Sequence, residues 1–322
     1  MSTSSSDRIK TRILIISDTH DASPVPSGSS PCDVPFRSPL PSADVLLHCG
    51  DLTMVGLMDE YEGALAMLSS IDARLKLVIA GNHDISLDAQ YYARKGQTMQ
   101  SLKEPDTTLP ARAKELWTGE RAKQAGVTYL EEGTYSFVLD NGAKLRVYAS
   151  PYQPEFCDWA FSYEVFENCF NPPHIMRPTA KNPVPDFPHI DVMMTHGPPG
   201  GILDKACSGE HVGCPFLLLA ARRCKPKIHC FGHIHEGWGA KRVVWKDDLD
   251  VRSNDHVQAA EDIEVDNREM TEKRAATVDI SQDGGQPLKW GEETLMLNAS
   301  IMNFQYQPRQ GPWLVDVDLD RA

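Results

Sequence analysis

The chain of 322 residues carries 45 Asp and Glu against 32 Lys and Arg, a formal net charge of −13, with 41% hydrophobic and 8% aromatic residues. This acidic balance excludes a general nucleic-acid coat or an anionic-lipid patch, because both need clustered Lys and Arg. It leaves room for an anionic substrate held through bound cations, and with no apolar run near the ~20 residues of a membrane span and no apolar stretch behind the first charges, a soluble cytoplasmic protein is expected.

In chain order, the apolar run Ile13 to Ile16 ends in Ser17-Asp18-Thr19-His20. The following stretch, 22–42, is dense in Pro and Ser and reads as a loop at the rim of whatever Asp18 and His20 do. Val45 to Leu47 runs into His48-Cys49-Gly50-Asp51, and Leu75 to Ala80 runs into Gly81-Asn82-His83-Asp84. Between them Met58 to Ser70, and later Ala111 to Ala125, place apolar residues at mixed three and four spacing, which predicts helices. Thr134 to Leu139 and Lys144 to Tyr148 flank Asp140-Asn141-Gly142 and predict a hairpin. Tyr152, Phe156, Trp159 and Phe161 then cluster, either as a satellite core or as a surface that stacks a base. Ile190 to Met194 ends in Thr195-His196-Gly197, and Ile228 to Phe231 ends in Gly232-His233-Ile234-His235. Residues 246–293 hold 14 acidic against 6 basic residues without a sustained apolar period. They are expected to form a mobile surface insertion. Thr294 to Leu297 and Trp313 to Val317 complete the predicted strands.

Short, wholly apolar runs fit strands buried on both faces, and their alternation with helices predicts an α/β fold with mostly parallel strands. A single domain over 1–322 is expected, with 22–42 and 246–293 as its appendages. The eight cysteines include no C-x-x-C pair, so reduced thiols are expected rather than a thiolate metal site. Walker-type, G-x-S-x-G and H-E-x-x-H patterns are also missing.

Each polar burst sits at the C-terminal end of a strand, where open α/β sheets place their ligands. Together the tips offer Asp18, His20, Asp51, Asn82, His83, His196, His233 and His235. Imidazole with carboxylate and amide oxygen suits borderline to hard divalent cations, and the set is large enough for two that share a carboxylate. Two such ions can hold a bridging hydroxide as nucleophile and neutralise a phosphoryl group during in-line displacement. Helix capping does not explain the set, because caps do not select His over Ser.

In order along the chain, Asp18-Thr19-His20, Gly50-Asp51, Gly81-Asn82-His83-Asp84, His196 and Gly232-His233-Ile234-His235 resemble the calcineurin-like metallophosphoesterases. The stretch F-G-H-I-H-E-G-W-G from Phe231 to Gly239, with Leu297-Asn298-Ala299-Ser300, is similar to the metallophosphoesterase-domain-containing branch, which includes phosphodiesterases acting on cyclic nucleotides. The resemblance implies a central β-sandwich of mixed sheets flanked by helices, with the metal site at strand C-terminal ends. It implies two divalent ions of manganese, iron or zinc, one held by Asp18, His20, Asp51 and His235, the other by Asp51, Asn82, His196 and His233. It places His83 as the general acid that contacts the phosphate together with Asn82. Asp84 either orients His83 or caps the following helix, and His48 is either a brace behind the ligands or a buried structural residue. Gly50-Asp51-Leu52-Thr53-Met54-Val55-Gly56 lacks the Asp-Arg pair of phosphoprotein phosphatases, which disfavours a protein phosphatase. The expected activity is hydrolysis of cyclic nucleotides or other small phosphodiesters. The alternatives are a phosphomonoesterase or nucleotidase on the same site, and a non-catalytic nucleotide-binding scaffold.

Overall fold

A computed structural model describes residues 7–29, 34–177 and 180–322. The start of the chain, part of the Pro/Ser-rich stretch and Cys32 lie outside the described residues. The elements are β1 (Arg8–Ile16), β2 (Ala43–His48), α1 (Met58–Ser70), β3 (Ala73–Val78), α2 (Ala89–Met99), α3 (Leu109–Thr118), α4 (Glu120–Gln124), β4 (Val127–Tyr129), β5 (Gly133–Val138) and β6 (Lys144–Ser150). They continue with β7 (Gln153–Pro154), β8 (Ser162–Tyr163), β9 (Val192–Thr195), α5 (Pro215–Cys224), β10 (Ile228–Phe231), β11 (Gly239–Trp245), β12 (Val257–Asp262), α6 (Asn267–Lys273), β13 (Ala276–Asp279), β14 (Glu293–Asn298) and β15 (Trp313–Asp320).

Two mixed sheets pack face to face. The first runs β13-β15-β1-β2-β3-β4 and the second β12-β11-β14-β10-β9-β6-β5. Successive side chains of a strand point to opposite faces, and here each apolar run is divided between two cores. Ile13, Ile15, Val45, Leu47 and Leu77 meet Val147, Val192, Met194, Ile228 and Leu297 between the sheets. Leu14, Ile16, Leu46 and Val78 turn outward onto α1 and α3, while Tyr148, Met193, Phe231 and Met296 turn outward under α5. The result is a sandwich of two sheets with helices on both outer faces. It accounts for runs with no polar alternation, since neither face of these strands reaches water.

Local sequence accounts for most boundaries. The Glu60 carboxylate accepts the backbone N–H groups of Leu57 at 2.9 Å and Val55 at 3.2 Å, which starts α1; its buried residues Tyr61, Ala64, Leu65 and Leu68 keep the three and four spacing. In the hairpin, Asn141 Oδ1 accepts the N–H of Ala143 at 3.0 Å and closes the turn between β5 and β6. The helix expected over 111–125 is two helices, because Gly119 takes extended backbone and ends α3 before α4 begins.

The acidic segment departs furthest from expectation. Instead of a detached insertion, β12 pairs with β11 and β13 pairs with β15, so that the segment supplies an edge strand to each sheet. Ala276, Val278 and Ile280 enter the inter-sheet core together with Met270 and Leu288. The outward residues are charged, with Lys10 pairing Asp279 and Lys241 pairing Asp262, both at 2.5 Å. Charges on an edge strand deter pairing with another chain, and this one-sided pattern is what made the segment read as loop. No helix among the described residues is long and apolar enough to cross a membrane.

One buried titratable group belongs to the fold. His229 on β10 is fully buried; Thr195 Oγ1 donates to the Gly197 carbonyl, so the His229 Nε2–H donates to Thr195 Oγ1 at 3.0 Å and Nδ1 has no partner. Burial lowers its pKa from 6.5 to about 3. The unfolded chain therefore takes up a proton below 6.5 that the folded chain refuses, and the stabilising contribution present above 6.5 is lost as pH falls toward 3. His229→Gln should flatten the acid limb of the stability profile by up to one proton, about 1.4 kcal/mol per pH unit. Denaturant unfolding of both proteins between pH 4 and 7 checks this, and parallel profiles would contradict it.

Candidate metal centre

The loops after β1, β2 and β3 and after β9, β10 and β14 meet at one edge of the sandwich. Ser17 N–H donates to the Ala299 carbonyl and Ile301 N–H to the Ser17 carbonyl, both at 2.9 Å, which ties the end of β1 to the end of β14 across the two sheets. Asp18 N–H donates to the Gly50 carbonyl at 2.9 Å and His20 N–H to the Asp51 carbonyl at 3.0 Å, so the first two loops run side by side. Asp18, His20, Asp51 and His233 all adopt positive φ, between 43° and 66°. Non-glycine residues in this region cost on the order of 1–3 kcal/mol each, and they cluster where the surroundings over-determine a functional geometry.

Two glycines make the convergence sterically feasible. A Cβ on Gly81 would lie 2.3 Å from Asp51 Oδ1, and one on Gly232 would lie 2.0 Å from Asp18 Oδ2. Both carboxylates thus occupy space that any other residue would fill.

The side chains form linked clusters: Asp18, His20 and His235; Asp51, His196 and His233; and His20, Asp51 and His83. Asp51 stands between them, with Oδ2 3.6 Å from His20 Nε2 and Oδ1 3.5 Å from His196 Nε2. Asn82 Oδ1 lies 2.9 Å from His196 Nε2, and His235 Nε2 lies 3.5 Å from Asp18 Oδ1. The outer nitrogens are committed to backbone carbonyls: Nδ1 of His20 donates to Thr53 at 3.1 Å, of His196 to Cys49 at 2.9 Å, and of His235 to Asn303 at 3.1 Å. Second partners of this kind fix the tautomer and leave Nε2 to ligate. His20 Nε2 and His235 Nε2 are 3.2 Å apart. Two lone pairs facing each other repel unless a cation or a proton lies between them, so this donor set fits divalent cations.

The electrostatics agree. Burial pushes the pKa values of His20 and His233 down to about 3, against the pull of nearby carboxylates. Burial opposes ionisation of Asp18, but the His235 hydrogen bond and the neighbouring imidazoles hold its pKa well below the usual range. Asp51 is likewise held low against burial, by His196, His83 and His20. Neutral imidazoles and ionised carboxylates are the ligating forms. His235 is the exception: burial lowers its pKa, but the Asp18 hydrogen bond and charge raise it overall, so a cation entering that half competes with a proton.

Behind the ligands, Ser300 Oγ donates to Asp18 Oδ2 at 2.7 Å. Asn298 Nδ2 donates to the Ile234 carbonyl at 2.8 Å and pins the loop that carries His233 and His235. His48 lies outside the ligand clusters: Nδ1 accepts the Gly50 N–H at 3.3 Å, and Nε2–H donates to Thr19 Oγ1 at 2.9 Å. Burial lowers its pKa to about 4, so it stays neutral and braces the loops of Asp18 and Asp51. Asp84 neither touches the His83 ring nor caps the turn that follows it. Its carboxylate accepts Gly81 N–H at 2.8 Å, Leu52 N–H at 3.2 Å, Thr53 N–H at 3.1 Å and Thr53 Oγ1 at 2.8 Å. Burial, with Asp51 nearby, raises its pKa to about 7, and these donors pull the other way. It joins the Asp51 loop to the Asn82 loop, while His83 is oriented by its own Nδ1–H, which donates to the Met54 carbonyl at 2.7 Å.

His83 opens onto a cleft of about 520 Å³ that also reaches Asp51, Asn82, His233 and His235. Trp159 stacks on its ring with centroids 4.1 Å apart, and Tyr306 Oη lies 3.4 Å from its Nε2. The aromatic cluster after the hairpin is therefore split: Phe161 packs inward with Tyr152 against it, whereas Phe156 and Trp159 line the cleft. Tyr306, Phe304, His211 and Glu236 also line it and were not singled out in the sequence. Only Glu236 had a signal there, its place directly after His235.

Because Gly81 leaves the space that Asp51 uses, Gly81→Ala should displace the Asp51 carboxylate and lower the bound metal below the wild-type level. Metal analysis after equilibration with Mn²⁺ reads this, and wild-type stoichiometry in the variant would contradict it.

Comparison with known proteins places this geometry. The calcineurin-like phosphoesterase family model matches residues 11–237. Metallophosphoesterase domain-containing protein 1 of Homo sapiens and that of Mus musculus are each 34% identical over 235 residues, covering 71% of this chain and 62% of theirs. The chain thus spans about three fifths of the length of these relatives. A probable rhamnogalacturonate lyase C of Emericella nidulans is 31% identical over 236 residues, 73% of this chain but 18% of that protein. With the family match spanning more than half of the sequence and its motifs gathered at one sheet edge, the chain belongs to the calcineurin-like phosphoesterase family.

Proposed function

We propose that the protein is a dinuclear-metal phosphodiesterase for small phosphodiesters, cyclic nucleotides among them. The observation that carries this reading is the split of the Asp51 carboxylate between two donor clusters directly beneath an oriented histidine. Asp18, His20, Asp51 and His235 would hold one cation, and Asp51, Asn82, His196 and His233 the other. Two divalent cations there would supply Lewis acidity toward a phosphoryl group and a nucleophilic water near neutral pH.

The chain's own groups do the rest. Nδ1–H of His83 is held by the Met54 carbonyl, and Trp159 covers the ring face, so the ring can move little and Nε2 is presented to the cleft. A proton on that nitrogen can pass to a leaving alkoxide, the role of a positioned general acid. Tyr306 Oη, beside His83 Nε2, can donate a hydrogen bond to a phosphoryl oxygen; burial raises its pKa to about 12, so it keeps its proton. The complete donor set disfavours a non-catalytic scaffold, and the ratio of monoester to diester turnover separates a phosphomonoesterase from the diesterase.

Full-length protein loaded with Mn²⁺ should hydrolyse bis(4-nitrophenyl) phosphate. His83→Ala should retain metal and lose about 10²–10⁴-fold in kcat, the usual contribution of a positioned acid. Failure of the wild type to turn over any diester with Mn²⁺, Fe²⁺ or Zn²⁺ would refute the reading.

A further inference from the structure

The loop 203–213, which lines the same cleft as Trp159, carries a further histidine with a carboxylate behind it. Asp204 is fully buried. Its Oδ2 accepts the N–H groups of Gly201 at 2.8 Å and Gly213 at 3.0 Å, and its Oδ1 accepts His211 Nδ1–H at 2.5 Å. The His211 side chain remains 58% exposed and lines the cleft. A buried acceptor on Nδ1 fixes both ring orientation and tautomer. It leaves Nε2 available, as an acceptor in the neutral ring and a donor in the cation.

The loop itself is fastened to the metal-site loops. Glu236 Oε1, next to His235, accepts the Cys207 N–H at 3.1 Å, and Asn298, which pins Ile234, also reaches the Leu203 carbonyl at 3.4 Å. His211 is therefore fixed relative to the donor clusters. The adjoining walls are apolar and exposed beyond any need of folding: Phe156 is 64% and Phe304 62% accessible, and both line the same cleft. Exposed apolar side chains gathered around a cleft with a few placed polar groups describe a ligand site.

We propose that His211 is a substrate-positioning residue. Its Nε2 hydrogen-bonds the alcohol part of the ester, a flat group with polar edges such as a nucleoside, while the scissile phosphate sits at the metal clusters. This rests on the phosphodiesterase reading and adds to it a subsite.

Two variants separate positioning from a merely structural staple, because they divide the two ring nitrogens. Asparagine places an amide where Nδ1 lies and keeps the Asp204 contact, whereas glutamine reaches toward the position of Nε2 and gives that contact up. Calorimetric titration of AMP into the Mn²⁺-loaded full chain, with inorganic phosphate as the reference ligand, reads the outcome. His211→Asn should weaken AMP relative to phosphate about tenfold, as loss of one hydrogen bond predicts, and His211→Gln should restore part of that affinity. The reverse order, two variants indistinguishable from wild type, or wild-type protein that binds AMP no more tightly than phosphate would each overturn the proposal. Turnover of bis(4-nitrophenyl) phosphate in the same wild-type preparation keeps the two readings apart: its absence refutes the diesterase, and the AMP series still decides the role of His211.

Discussion

The Asp51 carboxylate occupies the space left by the missing side chain of Gly81, accepts the His83 N–H at 2.8 Å, and turns one oxygen toward His20 and the other toward His196. Four strand ends, those of β1, β2, β3 and β9, meet at that one group. The Gly50-Asp51 loop must pass beside the Gly81-Asn82-His83 loop closely enough to exclude a Cβ, and both must lie where His196 and His20 approach from different sheets. Asp84 secures the first requirement by taking backbone donors from both loops. The Ser17 to Ala299 and Ile301 hydrogen bonds secure the second by joining the sheets at their common edge.

This arrangement is costly for the apoprotein. Two buried carboxylates lie among five imidazoles, of which burial holds His20 and His233 neutral, and Asp18, His20, Asp51 and His233 adopt positive φ. Stability of the fold must come from elsewhere, and the sandwich supplies it through the inter-sheet core and the two outer cores beneath the helices. Rigid, well-packed strands bring strained loops to one edge, and the packing holds the geometry of the donor side chains in place. Trp159 and Tyr306 extend the same economy to His83, whose ring is held from two sides before substrate binds.

Much of this was legible in the sequence. The five apolar runs that precede the polar bursts correspond to strands, and Asp18, His20, Asp51, Asn82, His83, His196, His233 and His235 come together because each follows the C-terminal end of a strand. Period-two side-chain direction and strand polarity are local properties, legible from neighbouring residues alone. What escaped depends on tertiary approach. Tyr306 and the Asp204–His211 pair sit on loops with no periodicity, and their roles arise only when the loops after β9 and β14 close over the cleft. The acidic segment misled for a related reason: an edge strand needs just one buried face, so Ala276, Val278 and Ile280 were hidden among charges that suit the exposed face. Asp84, next to His83 in sequence, reads as an orienter of that ring or a helix cap, whereas three of its four hydrogen bonds go to Leu52 and Thr53, some thirty positions earlier.

In the proposed mechanism one carboxylate serves two cations. Anomalous diffraction from crystals grown with Mn²⁺ tests it most directly. Two peaks about 3.5–4 Å apart, the spacing of two-metal phosphoryl-transfer sites, are expected, with the Asp51 oxygens divided between them. A single peak, or two peaks with Asp51 bound to only one, would contradict it.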